Sequence, residues 1–91
     1  MKCAIKARVI GRVQGVYFRA ATQIEANKLD ITGWVKNTAE GDVCLQAEGG
    51  EADLERLVLW LRSGPKLAKV EQIVVESRDA SDSFQGFDIR N

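Results

Sequence analysis

The sequence predicts an α+β fold in which one mostly antiparallel sheet carries two helices on one face. Two periodicities support this prediction: apolar residues that alternate with polar ones, as in half-buried strands, and apolar residues three or four positions apart, as in helices packed on a sheet. Along the chain these segments follow the order βαββαβ, with a short strand at the C-terminus. Two strand–helix–strand units in this order favour a ferredoxin-like sandwich with right-handed crossovers.

The first half of the chain contains a strand, a helix and a hairpin. Alternation predicts the first strand from Cys3 to Ile10, and apolar residues spaced by four and three predict a helix from about Phe18 to Leu29. Two further strands are predicted at Gly33 to Asn37 and at Asp42 to Glu48. The turn from Thr38 to Gly41 joins them into a hairpin.

A second helix and two strands make up the rest of the chain. The dipeptide Gly49-Gly50 is expected to interrupt the strand pattern, and a helix begins at Glu51. Its apolar stripe consists of Leu54, Leu57, Val58 and Leu61. Ser63-Gly64-Pro65 ends this helix, a strand follows from Val70 to Glu76, and a polar loop leads to a short final strand around Phe87 to Ile89.

Length and composition describe a small globular protein. Ninety-one residues predict a single domain, residues 1–91, with one core between two layers. Hydrophobic residues make up 45% of the chain and charged residues 29%. The apolar runs are much shorter than the ~20 residues of a membrane span, and the start of the chain lacks the apolar segment of a signal peptide. We therefore expect a cytoplasmic monomer that does not bind membranes.

Charge and residue types exclude several kinds of site. Thirteen basic residues balance thirteen acidic ones, so the chain lacks the broad positive field that binds nucleic acid, and any anion site has to be local. The sequence has no histidine and two cysteines, Cys3 and Cys44, which excludes the ordinary zinc constellations and a catalytic histidine. Alternation puts the two thiols on opposite faces of the sheet, which predicts that both are free; a disulfide would require a different register.

The segment Gly11–Arg19, between the first strand and the first helix, has the character of a phosphate-binding loop. A turn that leaves a strand and opens a helix directs several unpaired backbone N–H groups to one place, where the helix dipole also attracts an anion. Arg19 lies in the first turn, where the same dipole disfavours a cation unless an anion lies between them. If the third strand lies between the first two, Arg19 and Asn37 face one pocket.

Each of these residues also has an ordinary structural explanation. Two glycines in a polar loop are common, and Arg19 can be a solvated helix residue whose aliphatic stem covers apolar surface. Asn37, just before the hairpin turn, can be a turn residue that bonds its own backbone. Spacing alone leaves these alternatives open.

The sequence resembles the acylphosphatase family over nearly the whole chain. The resemblance is carried by Gly11–Arg19, Gly33–Thr38 and Gly41–Val43, and it extends to Glu25-Ala26, Trp60-Leu61, Gly64-Pro65 and Phe87–Arg90. It implies hydrolysis of the carboxyl-phosphate bond of a small-molecule acyl phosphate, giving a carboxylate and inorganic phosphate, with no cofactor and no metal.

The resemblance also implies roles for single residues. The catalytic arginine of the family corresponds to Arg19, and its water-positioning asparagine corresponds to Asn37. The family's phosphate-binding loop corresponds to Gln14, Gly15, Val16, Tyr17, Phe18 and Arg19, whose backbone N–H groups would hold the phosphoryl oxygens. The chain departs from the family at Asp30, where a helix-ending glycine is frequent, and Tyr17 occupies a variable position. Asp30 costs some stability if its φ is positive.

Three other functions share parts of this pattern. Acylphosphatase-like domains also occur in larger maturation proteins that handle carbamoyl phosphate, but those continue into zinc-finger regions, and this sequence has no Cys-x-x-Cys pair. RNA-recognition modules share the order of strands and helices, but their basic aromatic signature is missing here. In a purely structural domain Trp34 and Trp60 would be packing residues, and we expect that role for both in any case.

Overall fold

A computed structural model describes residues 2–91. The elements are β1 (Lys2–Arg12), α1 (Phe18–Lys28), β2 (Thr32–Asn37), β3 (Val43–Gly50), α2 (Glu51–Leu61), β4 (Lys69–Arg78) and β5 (Phe87–Arg90). The predicted order of strands and helices is confirmed. Met1, which the predicted domain includes, lies outside the described residues.

The five strands form one sheet in the order β4-β1-β3-β2-β5. β3 lies between β1 and β2 and is antiparallel to both, whereas β5 is parallel to β2. β1, β2 and β5 therefore run in the same direction, and their C-terminal ends lie at the same edge of the sheet. This is the predicted ferredoxin-like arrangement, and it determines which residues can meet at that edge.

Both helices cover the same face of the sheet and share one core with it. α1 buries Phe18, Thr22 and Ala26, which follow one another at the predicted spacing of four, and α2 buries Leu54, Leu57 and Leu61. The sheet contributes Ala7, Val9, Val35, Val43, Leu45 and Ala47. Burying a side chain such as leucine contributes roughly 1.5 to 3 kcal/mol each, so this single core holds the two layers together.

The prediction that Gly49-Gly50 interrupts the strand was wrong. β3 continues through both residues, which pair with Cys3 and Lys2 of β1. A β-carbon on Gly49 would lie 3.1 Å from Cγ1 of Ile31, so the glycine makes room for a core side chain. Gly50 has extended backbone angles and precedes the first residue of α2. The strand therefore leads into the helix without a loop.

Asp30 ends α1 in the left-handed conformation, with a φ of 54°. The N–H of Ile31 donates to the carbonyl of Ala26 at 2.9 Å, and the N–H of Asp30 donates to that of Asn27 at 3.2 Å. This pair of hydrogen bonds is a Schellman motif, which usually has glycine at the position of Asp30. Asp30 therefore has the positive φ that the sequence analysis associated with a cost in stability.

Both cysteines are free thiols, as predicted. Cys3 packs against the core, whereas Cys44 points to the other face of the sheet, because its neighbours Val43 and Leu45 are core residues. Trp34 lies on that other face too, buried beneath the cations of Lys36 and Arg90, which lie 5.3 and 5.1 Å from its ring centroid. Trp34 is therefore a packing residue outside the main core.

The same face carries a buried carboxylate. Glu48 is only 3% exposed, and it accepts hydrogen bonds from the N–H and hydroxyl groups of Ser81 and from the N–H of Asp82. These bonds fix the segment 79–83 to the sheet.

Across residues 2–91 the helices are too short or too polar to traverse a bilayer.

Candidate active site

The edge at which β1, β2 and β5 end also contains the start of α1, and a cavity of about 180 Å³ lies there. Its lining residues are Val13, Gly15, Tyr17, Phe18, Arg19, Ala20, Asn37 and Ile89. Arg19 and Asn37, which come from different elements, both line this cavity. A larger cavity of about 550 Å³ is lined by Glu48, Arg78 and Asp79, so its two carboxylates outnumber its one cation and it is poorly suited to an anion.

The loop backbone is arranged to receive an acceptor. Gly15 and Tyr17 have φ values of 74° and 69°, and Tyr17 immediately precedes the first helical residue. In the part of the chain that the structure describes, the N–H groups of residues 15–19 donate to no protein acceptor. The first turn of α1 has no acidic residue and no side-chain cap. Successive free N–H groups with alternating backbone conformation form an anion-binding concavity.

Arg19 adds a positive charge to the same place. Its side chain is half-buried, and its Nη1 atom donates a long hydrogen bond of 3.4 Å to the backbone carbonyl of Arg90. Among residues 2–91 no carboxylate lies within ion-pair distance of this guanidinium. The helix dipole also disfavours a cation at this position. A bound anion would therefore stabilise the Arg19 guanidinium next to the start of α1.

Asn37 is the last residue of β2 and shares the helix-facing side of the sheet with Val35. Its side-chain amide makes no hydrogen bond to the protein within residues 2–91. The alternative role as a turn-bonding residue is filled by Thr38, whose hydroxyl accepts the N–H of Asp42 at 3.1 Å and whose carbonyl accepts the N–H of Gly41 at 3.2 Å. The Asn37 amide thus remains available to a water or a ligand.

The predicted phosphate loop divides into residues that line the cavity and residues that hold the loop. Gly15, Tyr17, Phe18 and Arg19 line the cavity. Val16 does not line it and is buried in the core.

Gln14 does not line the cavity either, because its side chain is directed at the hairpin turn. Its Nε2 group donates to the carbonyls of Thr38 and Asp42, at 2.9 and 2.8 Å. This role of Gln14 could not be predicted from the sequence, since no periodicity marks a contact between residues 24 and 28 positions apart. The two bonds connect the loop to the turn that follows Asn37.

Phe18, the first residue of α1, packs against the end of α2. Its ring lies 5.8 Å from that of Trp60 in a tilted arrangement, which is a favourable geometry for aromatic pairs. Trp60 is half-buried at the end of α2, so it has the packing role expected from the sequence.

Within residues 2–91, no three histidine, cysteine or acidic side chains are grouped in a way that could hold a metal ion.

Comparison with known proteins shows the family and the fold of this chain. The family model for Acylphosphatase matches residues 5–89. The chain is 48% identical to the acylphosphatase of Salinibacter ruber over 86 residues, covering 94% of this chain and 90% of that protein. It is 43% identical to that of Geobacter metallireducens over 90 residues, covering 99% and 97%.

A solved structure supports the same conclusion. The crystal structure of the acylphosphatase from Bacillus subtilis matches with a TM-score of 0.94 at 37% identity, and the match covers 100% of both chains. Sequence and structure therefore agree over the full length of the match. The chain belongs to the acylphosphatase family, hydrolases that act on the acid anhydride bond of acyl phosphates.

Proposed function

We propose that the cavity at the start of α1 binds the phosphoryl group of an acyl phosphate, and that Arg19 and Asn37 carry out its hydrolysis. One observation carries the proposal: a guanidinium with no carboxylate partner among residues 2–91 shares a small cavity with free backbone N–H groups and a free amide. The single core supports treating residues 1–91 as one domain.

The phosphoryl oxygens bind to the N–H groups of residues 15–19 and to the guanidinium of Arg19. A guanidinium offers two parallel N–H donors, which suits two oxygens of one phosphoryl group. Phosphoryl transfer passes through a loose transition state, in which positioning and charge stabilisation supply most of the rate. A fixed cation and a set of aligned amides meet both needs.

The leaving group explains why no general acid is required. Cleavage of the bond between phosphorus and the acyl oxygen leaves the electron pair on a carboxylate, whose conjugate acid has a pKa of about 4. Such a group departs without being protonated at neutral pH. The cavity lining contains no carboxyl group and the chain has no histidine, so the reaction fits the side chains that are present.

Asn37 positions the attacking water. Its amide oxygen accepts a hydrogen bond from the water and its NH₂ group donates one, so it can hold the water in line with the scissile bond. A new bond forms between the water oxygen and phosphorus while the bond to the acyl oxygen breaks. The proton of the water passes to a phosphoryl oxygen, and the products are a carboxylate and inorganic phosphate.

The test is hydrolysis of benzoyl phosphate in the presence of a chelator by the wild type, Arg19→Ala and Asn37→Ala. Arg56→Ala and Asn27→Ala are matched controls, because both residues are exposed on helices away from the cavity. We expect loss of turnover of about 100-fold or more in the two site variants, typical of removing one transition-state contact, and little change in the controls. Circular dichroism shows whether each variant is folded.

Inhibition by inorganic phosphate separates the two roles. Arg19→Ala should weaken phosphate inhibition because it removes a binding group, whereas Asn37→Ala should leave it nearly unchanged because it acts on the water. Folded site variants that retain wild-type turnover would refute the proposed function.

A further inference from the structure

Tyr17 adopts a backbone conformation that its side chain disfavours. Its φ of 69° lies in the left-handed region, where a residue other than glycine, asparagine or aspartate is uncommon. Its side chain is 69% exposed, and its hydroxyl makes no hydrogen bond to the protein within residues 2–91. Neither burial nor hydrogen bonding explains an aromatic ring at this position. Strain of this kind is concentrated at functional sites.

Tyr17 belongs to the lining of the proposed phosphoryl cavity. Ile89, on β5, lines the same cavity and is 40% exposed. Ile89 pairs with the buried Val35 of β2, so it lies on the helix-facing side of the sheet, as Asn37 does. Two exposed apolar side chains therefore adjoin the polar groups that would hold the phosphate.

We propose that Tyr17 and Ile89 determine which acyl groups the enzyme accepts, by forming an apolar rim that receives the acyl group once the phosphoryl group is bound. This inference rests on the proposed function, because it assumes that the phosphoryl group occupies the cavity. An aromatic or branched acyl group would bury apolar area against both side chains, whereas an acetyl group is too short to cover them. The rim therefore favours benzoyl over acetyl phosphate.

The measured quantity is the ratio of kcat/KM for benzoyl phosphate to kcat/KM for acetyl phosphate. Taking the ratio cancels any loss of phosphoryl binding that a change in the loop causes for both substrates. Tyr17→Asn keeps a residue that tolerates positive φ and removes the ring, and Ile89→Ala removes the second side of the rim. Each should lower the ratio about fivefold to tenfold, the effect of losing a modest apolar contact.

Two further variants serve as controls. Tyr17→Phe keeps the ring and should keep the ratio. Leu59→Ala removes an apolar side chain that is 70% exposed on α2, away from the cavity, and should leave kcat/KM unchanged for both substrates. Unchanged ratios in folded Tyr17→Asn and Ile89→Ala would overturn the inference. If instead Arg19→Ala retained turnover of both substrates, the proposed function itself would fail, so the two failures are distinguishable.

Discussion

Gly64 lies so close to Phe18 that a β-carbon on Gly64 would be 2.5 Å from Cε2 of the aromatic ring. Gly64 follows α2, and Phe18 is the first residue of α1. The ring of Phe18 therefore contacts two residues at the C-terminal end of α2, Trp60 in its last turn and Gly64 just after it. Because Arg19 is the next residue, this contact between two distant segments fixes the backbone from which the Arg19 side chain extends.

Gly64→Ala should destabilise the fold through both sterics and backbone strain. Its φ is +65°, which costs an L-residue about 1 to 2 kcal/mol, and overpacking against Phe18 adds about 1 to 3 kcal/mol. Gly15→Ala is the matched control for stability, since its φ is +74° but nothing lies within 4 Å of the added carbon. Urea unfolding measures both. Equal losses in the two variants would show that the contact with Phe18 is unimportant.

Gln14→Glu should impair both stability and turnover. The amide that donates to the carbonyls of Thr38 and Asp42 is replaced by a carboxylate, which can only accept at neutral pH and faces two oxygens. We expect a loss of about 1 to 3 kcal/mol and a lower kcat, because the loop and the turn after Asn37 separate. Gln72→Glu makes the same change of charge at an exposed position of β4. If both variants behave alike, Gln14 does not hold the loop.

The periodicities of the sequence were sufficient for the order of strands and helices, because alternation and helical stripes specify which side chains face the core. That Arg19 and Asn37 line one cavity followed from the expected place of the third strand between the first two. They could not specify contacts between distant polar groups. The bonds from Gln14 to the hairpin turn depend on tertiary geometry, and so does the burial of Glu48 under the segment 79–83. The strand through Gly49-Gly50 was missed because glycine usually ends a strand, whereas here it accommodates Ile31.

Asp30→Gly should stabilise the protein by about 0.5 to 1 kcal/mol, because glycine adopts the left-handed conformation at the end of α1 without strain. Asp30→Ala should not stabilise it, since alanine at a φ of 54° is strained as well. Thermal unfolding of the two variants provides the comparison. Equal stabilisation by alanine and glycine would mean that the removed charge, and not the backbone, was responsible.

Glu48 should make stability depend on acid pH. Burial alone raises the pKa of its carboxyl group, but the hydrogen bonds from Ser81 and Asp82 outweigh burial and hold the pKa below its ordinary value of 4.5. The charged form is thus favoured in the folded state. Its stabilising contribution is complete above the ordinary value and disappears as pH falls through the lower, folded-state pKa.

Urea unfolding of Glu48→Gln at several pH values tests this dependence. At pH 7 the variant should be less stable than the wild type by about 1 to 2 kcal/mol, since hydrogen bonds to a charged acceptor are replaced by weaker ones. The difference should shrink below pH 4.5. Glu76→Gln, an exposed residue of β4, should show no such trend. A difference that stays constant down to strongly acid pH would contradict the role assigned to Glu48.

Titration of the isotopically labelled protein with inorganic phosphate, followed by amide chemical shifts at constant ionic strength, tests the central claim most directly. In the wild type the largest shifts should occur at the backbone N–H groups of residues 15–19, with a smaller shift at the side-chain amide of Asn37. Arg19→Ala should require more phosphate to reach the same shifts, and Arg56→Ala should behave like the wild type. Shifts concentrated around Ser81 and Arg78, in the larger cavity, would contradict the assignment of the phosphoryl site.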